Sequence, residues 1–195
     1  MYSRFSIEKK INLKPCYLFM RALIPGRFQP LHLGHCDLIR AAAGNEDVKE
    51  LLIAICSAQY DHKNAMPGSR PVDNPFTCKE RERMLKGYLK HNIKKKFRVF
   101  CVEDIPDDTQ WVAHLKEQLP EFSIVYSGDK LVRGLIEKAN IKVKSPEFRR
   151  NTHATRVRQL MVSNGNWKAH LPKESVVVIE EIAGCQRVKT LARRG

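Results

Sequence analysis

The sequence predicts an α/β fold with a doubly wound parallel sheet. Short apolar stretches alternate with longer amphipathic ones along the chain, an order typical of parallel strands joined by helices. Polar and turn residues follow the apolar stretches, as expected where ligands meet the carboxyl ends of such strands. The phosphate-binding patterns GxxxxGK[ST] and GxGxxG are absent, so an anion site must be built from other residues.

The first predicted strand and helix adjoin a natural phosphate site. An apolar run over 22–24 is typical of a buried strand, and a Pro-Gly turn ends it. Apolar residues then recur at helical spacing, so a helix opens near His32–His35. A strand that enters a helix through a glycine-containing turn directs free N–H groups and the positive end of the helix dipole at one point.

Two histidines lie at that point. His32 and His35 are three residues apart, on one face of the first helical turn. Gly34 has no side chain to block a ligand, and Arg27 adds a fixed charge upstream. A histidine pair alone would more often be a helix cap. The coincidence of strand, glycines, Arg27 and both imidazoles favours a phosphate site.

The later elements repeat the alternation. Continuous apolar runs predict strands at 51–56, 97–102, 124–126 and 141–143. A capping box from Thr77 to Glu80 begins a helix after a long loop over 60–75. Further helices are predicted over 111–119, from Asp129 to 139, over 152–161 and over 173–182, with the basic tail 187–194 left at the surface.

Composition limits the classes of protein. The chain has 195 residues, 43% of them hydrophobic, which predicts one domain over 20–195 with a flexible extension over 1–19. No apolar run of ~18 residues or convincing signal peptide occurs, so no membrane partner is expected. Six cysteines without a CxxC pair predict reduced thiols and a cytoplasmic location. The net charge of +14 favours anionic partners.

The stretch Gly26-Arg27-Phe28-Gln29-Pro30-Leu31-His32-Leu33-Gly34-His35 resembles the signature of the HxGH nucleotidyltransferases, in particular the archaeal nicotinamide-nucleotide adenylyltransferases. Separate motifs extend the resemblance over roughly residues 20–192. They are Ser57-Ala58-Gln59-Tyr60, Asn74-Pro75-Phe76-Thr77, Asp104-Ile105-Pro106-Asp107 with Trp111, Val125-Tyr126-Ser127-Gly128 and Thr155-Arg156-Val157-Arg158. The resemblance implies a Rossmann-like HxGH nucleotidyltransferase fold.

The resemblance also implies the reaction and its residues. ATP and nicotinamide mononucleotide would give NAD and pyrophosphate, with Mg²⁺ held mainly by phosphates and water and no protein side chain as metal ligand. The implied catalytic residues are His32, His35, Arg27 and Arg158. The implied ATP-side residues add Gly26, Phe28, Gln29, Ser127, Gly128, Asp129 and Thr155. The implied acceptor-side residues are Ser57, Gln59, Asp104, Ile105, Asp108 and Trp111, whose ring would stack on nicotinamide.

Several points stay open at this stage. A phosphate-binding cation is expected in the loop, where Arg70 is the better candidate and Lys63 the weaker, although surface charge explains both equally well. Trp111 by position alone equally fits the core. Asp108 stands where relatives often have Asn, which bears on the choice between nicotinamide and nicotinate mononucleotide. The resemblance further implies a homo-oligomer, often a hexamer.

Two other functions are weighed against this one. A phosphopantetheine, flavin or CTP-dependent nucleotidyltransferase would share the same histidines, but Trp111 and the segment 104–107 argue against it. A basic nucleic-acid-binding module would explain the charge, yet the lysines and arginines are dispersed and no aromatic-basic RNA motif occurs. No nucleic-acid partner is therefore expected.

Overall fold

The computed structural model describes residues 19–145 and 152–194. Within them lie five strands, β1 (Met20–Gly26), β2 (Val48–Ile55), β3 (Lys96–Cys101), β4 (Ile124–Tyr126) and β5 (Lys142–Lys144). The same ranges hold seven α-helices, α1 (Leu33–Gly44), α2 (Cys78–Asn92), α3 (Trp111–Gln118), α4 (Lys130–Lys138), α5 (Ala154–Val162), α6 (Lys173–Glu181) and α7 (Gly184–Ala192). The extension predicted over 1–19 lies, apart from residue 19, outside the described residues.

The strands form one parallel sheet in the order β3-β2-β1-β4-β5. The chain builds outward from β1 to β3 on one side and then continues with β4 and β5 on the other. The strand order therefore reverses between β1 and β4, and the crevice at such a point is where open α/β sheets bind ligands. The predicted doubly wound parallel sheet is confirmed.

Two hydrophobic cores cover the two faces of this sheet, because successive strand residues point to opposite sides. Ala22 and Ile24 pack in one cluster with α1, α2, α5, α6 and α7. Leu23, between them, packs in the other cluster with α3 and α4. All three residues are fully buried. Packing on both faces fixes the positions of the strands, and the site lies at their carboxyl ends.

Two expectations from the sequence are wrong. The tail predicted to be surface forms α7, because Val188 and Leu191 are buried in the core and Arg187 binds both carboxylate oxygens of Glu80 at 2.8 and 2.9 Å. The cysteines are not all free thiols. Cys78, at the start of α2, lies 6.5 Å in Cα distance from Cys101, at the end of β3, and the two form a disulfide. Their separation of 23 residues gave no signal for this pairing.

Candidate active site

A cavity of about 1630 Å³ lies beyond the carboxyl ends of the strands. It exceeds the range of about 300–1000 Å³ typical of a single small-molecule site. Most of the residues singled out in the sequence line it: Gly26, Arg27, Phe28, Gln29, His32, His35, Ser57, Asp104, Ile105, Asp108, Trp111, Ser127, Gly128, Asp129, Thr155 and Arg158. Gln29 and Arg158, which are 129 residues apart in the chain, thus meet in one space.

The two histidines form a reciprocal cap at the start of α1. The backbone N–H of His35 donates to Nδ1 of His32 at 3.4 Å, and the backbone N–H of His32 donates to Nδ1 of His35 at 3.3 Å. Since each Nδ1 accepts, the proton of each neutral ring is carried by Nε2. The rings stack with centroids 3.7 Å apart. The residues are therefore both a helix cap and part of the cavity wall.

Both imidazoles are neutral at physiological pH. Burial, followed by the charges of His153, Arg158 and His170, lowers the pKa of His32 to about 3. Burial, followed by the neighbouring His32 and His153, holds the pKa of His35 well below its usual value. Neutral rings also suit the cap, because protonation at Nδ1 would remove the acceptor. The pair therefore offers two Nε2–H donors without two stacked positive charges.

Gly34 lets two segments meet behind this pair. A Cβ at Gly34 would lie 2.9 Å from the backbone oxygen of Thr152 and 3.1 Å from the ring of His32. Real Cβ atoms do not approach a backbone oxygen that closely without a shift. Any larger residue at Gly34 would push the first turn of α1 away from the chain that leads into α5. The glycine is thus needed for close approach as well as for ligand access.

Arg158 reaches the cavity from α5 with its guanidinium fixed in place. It is 6% exposed. Its Nη1 donates to the backbone oxygen of Gln29 at 2.9 Å, and its Nη2 donates to Asp73 at 2.9 Å and to Thr155 at 3.3 Å. Burial lowers its pKa, and the hydrogen bond to Asp73 opposes that effect. A single carboxylate, that of Asp73, therefore holds this charge beside the loop that follows β1.

The loop over 60–75 presents different residues from those expected. Neither Arg70 nor Lys63 is among the residues that line the cavity. Arg70 instead pairs with Asp73, at 3.4 Å between Nε and Oδ2. Tyr60, Met66 and Pro67 face the cavity from this loop, and sequence reasoning did not select them. Asp73, which bridges Arg70 and Arg158, was also missed.

The opposite side of the cavity is braced by Asp104. The backbone N–H of Ser57 donates to Asp104 Oδ1 at 3.1 Å, and the Ser57 hydroxyl donates to Oδ2 at 2.5 Å. Gln59 exchanges hydrogen bonds with the Asp104 backbone at 2.9 and 3.0 Å. Gln59 is not among the cavity-lining residues, so it supports the end of β3 from behind.

Trp111 is both a core residue and part of the cavity wall. The ring is 8% exposed and belongs to the second core cluster with Val112 and Leu115. It also lines the cavity, so the core positions a flat aromatic surface at the edge of the site. Asp108, exposed at the start of a short 3-10 helix, lies on the same side.

Three helices begin at the cavity wall. Their N-cap residues are His32 for α1, Asp129 for α4 and His153 for α5, and all three line the cavity. Asp129 Oδ1 accepts from the N–H of Val132 at 3.0 Å. Helix N-termini favour anions. His153 was missed, although it lies at the start of a predicted helix just as His32 does.

The described residues contain no group of three or more His, Cys, Asp and Glu side chains arranged to hold a metal ion. Every helix within 19–145 and 152–194 is too short or too polar to cross a bilayer. The hydrogen-bond donors at the cavity are imidazoles, guanidinium groups and backbone N–H groups, which are ligands for phosphate oxygens. The carboxylates of Asp104, Asp108 and Asp129 also line the cavity.

The fold and this site define a nucleotidyltransferase class. A family model described as cytidylyltransferase-like matches residues 23–160, and the chain belongs to that family. Within it, the chain is 37% identical over 175 residues to a nicotinamide-nucleotide adenylyltransferase of Methanococcus aeolicus, covering 88% of this chain and 95% of that protein. A nicotinamide-nucleotide adenylyltransferase of Archaeoglobus fulgidus is 34% identical over 182 residues, covering 90% and 99%. The chain is thus a member of the nicotinamide-nucleotide adenylyltransferases, which confirms the resemblance seen in the sequence.

A solved structure shares the fold at lower identity. It is the bifunctional NMN adenylyltransferase/ADP ribose pyrophosphatase of Francisella tularensis, in complex with AMP and a manganese ion. The match has a TM-score of 0.68 and 18% identity, and it covers 89% of this chain and 52% of that one. At this identity the likeness concerns the fold alone.

Proposed function

We propose that the chain transfers the adenylyl group of ATP to nicotinamide mononucleotide, forming NAD and pyrophosphate. One observation carries the proposal within this family: a single cavity joins a phosphate-binding side to an aromatic side. The first side offers the neutral histidine pair and Arg158 at helix N-termini. The second offers Trp111 beside the braced Asp104. Two nucleotides need two such half-sites facing one another.

The reaction needs no general base. The attacking group is the 5′-phosphate of the mononucleotide, whose second pKa near ~6 leaves it mostly dianionic at neutral pH. An oxygen of that phosphate forms a bond to the α-phosphorus of ATP, and the bond from that phosphorus to the bridging oxygen breaks, which releases pyrophosphate. The electron pair stays with pyrophosphate. The protein has to hold two anions in line and stabilise the charge that develops.

The residues divide between these tasks. His32 and His35 donate Nε2–H bonds to ATP phosphate oxygens, which is the role that neutral rings with occupied Nδ1 atoms can fill. Arg27 and Arg158 supply fixed charge, with Arg158 on the β and γ phosphates. The backbone from Gly26 to Gln29 holds the triphosphate. Ser127, Gly128, Asp129 and Thr155 complete the ATP side.

On the acceptor side, Trp111 stacks on the nicotinamide ring. Asp104, Ile105 and Asp108 surround the carboxamide, while Ser57 and Gln59 keep Asp104 in place. Magnesium enters as part of the substrate MgATP, bound by phosphate oxygens and water. We further propose a cytoplasmic enzyme that assembles as a homo-oligomer, a hexamer by the family resemblance.

The direct test is pyrophosphate release from MgATP, with nicotinamide mononucleotide and nicotinate mononucleotide compared side by side. The expected result is turnover with nicotinamide mononucleotide and formation of NAD. Protein that binds ATP but is inactive with both acceptors would contradict the proposal. Phosphopantetheine, flavin mononucleotide and the CTP-dependent reactions would then be assayed in the same format.

A further inference from the structure

Arg81 is a fully buried cation, and within the described residues every acceptor of its side-chain hydrogen bonds is a backbone carbonyl. It lies in α2 and is 0% exposed. A guanidinium group carries five N–H donors. Here they reach five carbonyl oxygens: Thr77 at 3.4 Å from Nε, Arg27 at 3.0 Å and Cys56 at 2.9 Å from Nη1, and Ser57 at 3.1 Å and Tyr60 at 3.4 Å from Nη2.

Four of these carbonyls belong to two different strand-end loops, and the fifth, that of Thr77, belongs to the N-cap of α2. Arg27 directly follows β1, whereas Cys56 and Ser57 directly follow β2. One Nη1 atom binds both loops, so the separation of the loops is set by a single rigid group. Arg81 itself is not among the cavity-lining residues. Its influence on a bound ligand must therefore pass through the loops.

Both loops are strained where Arg81 holds them. Phe28 has φ 50° and Ser57 has φ 53°, which lie in the left-handed region that residues other than glycine rarely adopt. The carbonyls of Arg27 and Cys56 belong to the peptide groups that precede these two residues. Such conformations are energetically costly and persist only where surrounding contacts enforce them. The Arg81 hydrogen bonds are contacts of that kind.

The two loops carry the two halves of the site. Phe28 packs against the ring of His35 with centroids 4.7 Å apart, and Ser57 donates to Asp104. We infer that Arg81 is a positioning residue that fixes the distance between the phosphate-binding and acceptor-binding half-sites. The inference rests on the proposed function for the identity of the two substrates.

No other side chain can make this set of contacts. Lysine keeps the charge but has only three donors, all on one atom, so it cannot reach all five carbonyls. An apolar residue of similar length would leave buried carbonyls without partners. Burial lowers the pKa of Arg81 to about 10, so the group stays protonated at neutral pH. A planar cation with five fixed donors is what the two loops require.

The test is Arg81→Lys in the full chain, with binding and turnover measured separately. We expect dissociation constants for MgATP and for nicotinamide mononucleotide within about threefold of the unsubstituted chain, since each half-site persists. We expect kcat to fall on the order of 10², as for reacting groups displaced by about 1 Å. A kcat within about twofold of the unsubstituted chain, in folded protein, would overturn the inference.

A matched control separates positioning from stability. Leu85→Ala removes a fully buried side chain of the same helix that packs in the core cluster, and it should destabilise the fold. At a temperature where it is folded, its kcat should stay near that of the unsubstituted chain. If Leu85→Ala lost as much kcat as Arg81→Lys, Arg81 would be a structural residue only.

A second measurement covers the case in which Arg81→Lys does not fold. In the unsubstituted chain with ¹⁵N-labelled arginine, the Nη signals of Arg81 should shift on addition of MgATP alone and of the mononucleotide alone, because both loops contact one group. Signals unmoved by either nucleotide would overturn the inference. Failure of the proposed function is seen separately, as an unsubstituted chain that releases no pyrophosphate.

Discussion

Buried charge is handled differently at the two edges of the sheet. Where the strands begin, the buried carboxylate of Glu50 accepts from Arg21 at 2.9 Å and from Arg98 at 2.9 and 3.1 Å, and Lys96 lies 3.7 Å away. Three cations surround one carboxylate. Where the strands end, the cation Arg81 is held by carbonyls alone among the described residues, and the histidines are neutral.

The difference separates a structural ion cluster from a site prepared for anions. At the first edge, Arg21, Lys96 and Arg98 share the buried carboxylate of Glu50, so the cluster is held by ion pairs. At the second edge, carbonyl oxygens and helix N-termini organise the donors that line the cavity, and Arg158 is paired with the carboxylate of Asp73. Stability and substrate binding should therefore respond to substitution at opposite edges.

The largest effect is expected for His35→Ala. Loss of a preorganised donor to the transition state should lower kcat by on the order of 10² or more, while ATP binding changes less. Steady-state kinetics of pyrophosphate release give the result. The matched control is His91→Ala, which removes an exposed imidazole in the last turn of α2. Near-normal turnover of His35→Ala would mean that the His35 imidazole does not stabilise the transition state.

The next effect concerns the stability of the histidine pair in acid. An imidazole whose pKa is lower in the folded chain than in the unfolded chain binds fewer protons when folded. The free energy of unfolding should therefore fall as the pH drops below the unfolded value of about 6.5, and keep falling toward the folded pKa of His32, about 3. The slope is at most about 1.4 kcal/mol per pH unit for each histidine.

Denaturant unfolding at a series of pH values between 7 and ~4 tests this slope. His32→Gln, which keeps an acceptor for the N–H of His35, should make the slope shallower. His91→Gln, at a side chain that is 65% exposed, should leave it unchanged. If the free energy of unfolding had the same pH dependence in all three chains, folding would not lower the pKa of His32.

Arg158→Lys should have an intermediate effect. Lysine keeps the charge but loses the fork that binds the Gln29 carbonyl and Asp73 together. We expect kcat/KM for ATP to fall about tenfold, the equivalent of one lost charged hydrogen bond. The control is Arg156→Lys, two residues earlier and exposed. Similar kinetics for the two variants would show that charge alone is needed at this end of α5.

Glu50→Gln tests the other edge. Burial raises the pKa of Glu50, but hydrogen bonds from Arg98 and Arg21 outweigh burial and hold the pKa below its usual value. Because that carboxyl titrates lower when folded, its contribution is present above the unfolded pKa of about 4.3 and is lost as the pH falls. We expect a loss of about 1–2 kcal/mol in the free energy of unfolding at pH 7.

The kcat of Glu50→Gln tests whether the two edges of the sheet act independently. The kcat of folded Glu50→Gln should equal that of the unsubstituted chain, because the substitution lies at the far ends of the strands. Glu117→Gln, at an exposed position of α3, should change neither quantity. A tenfold loss of kcat in Glu50→Gln without unfolding would contradict the separation of the two edges.

The sequence predicted one edge far better than the other. The stretch 26–35 places a glycine turn, Arg27 and two histidines within ten residues, so local spacing alone points to the phosphate loop. The Glu50 cluster joins residues 29 and 48 positions apart, and its register is set only once parallel strands pair. The partners of Arg81 and the Cys78–Cys101 disulfide are non-local for the same reason.

The loop over 60–75 shows the same limit in another form. The charge of Arg70 predicts contact with phosphate, but charge does not determine where a side chain points. In the fold the guanidinium group of Arg70 pairs with Asp73. Asp73 matters through its contact with Arg158, 85 residues away, which no spacing rule reveals. Helix starts were more predictable, because each N-cap follows from local residues.

The smallest effect is expected at Asp108, one of the carboxylates that line the cavity. Under the proposed function, its charge repels the carboxylate of nicotinate mononucleotide and its oxygens accept from the nicotinamide carboxamide, since a carboxylate accepts but does not donate. Asp108 is exposed, so its interaction is worth only about 0.2–1 kcal/mol. Asp108→Asn should therefore raise kcat/KM for nicotinate relative to nicotinamide mononucleotide by about threefold. The matched control is Asp107→Asn, at the neighbouring exposed carboxylate that caps the short 3-10 helix and is not among the cavity-lining residues. If both variants moved the ratio equally, the preference would reflect the general negative charge of this loop, and Asp108 would have no contact of its own with the acceptor.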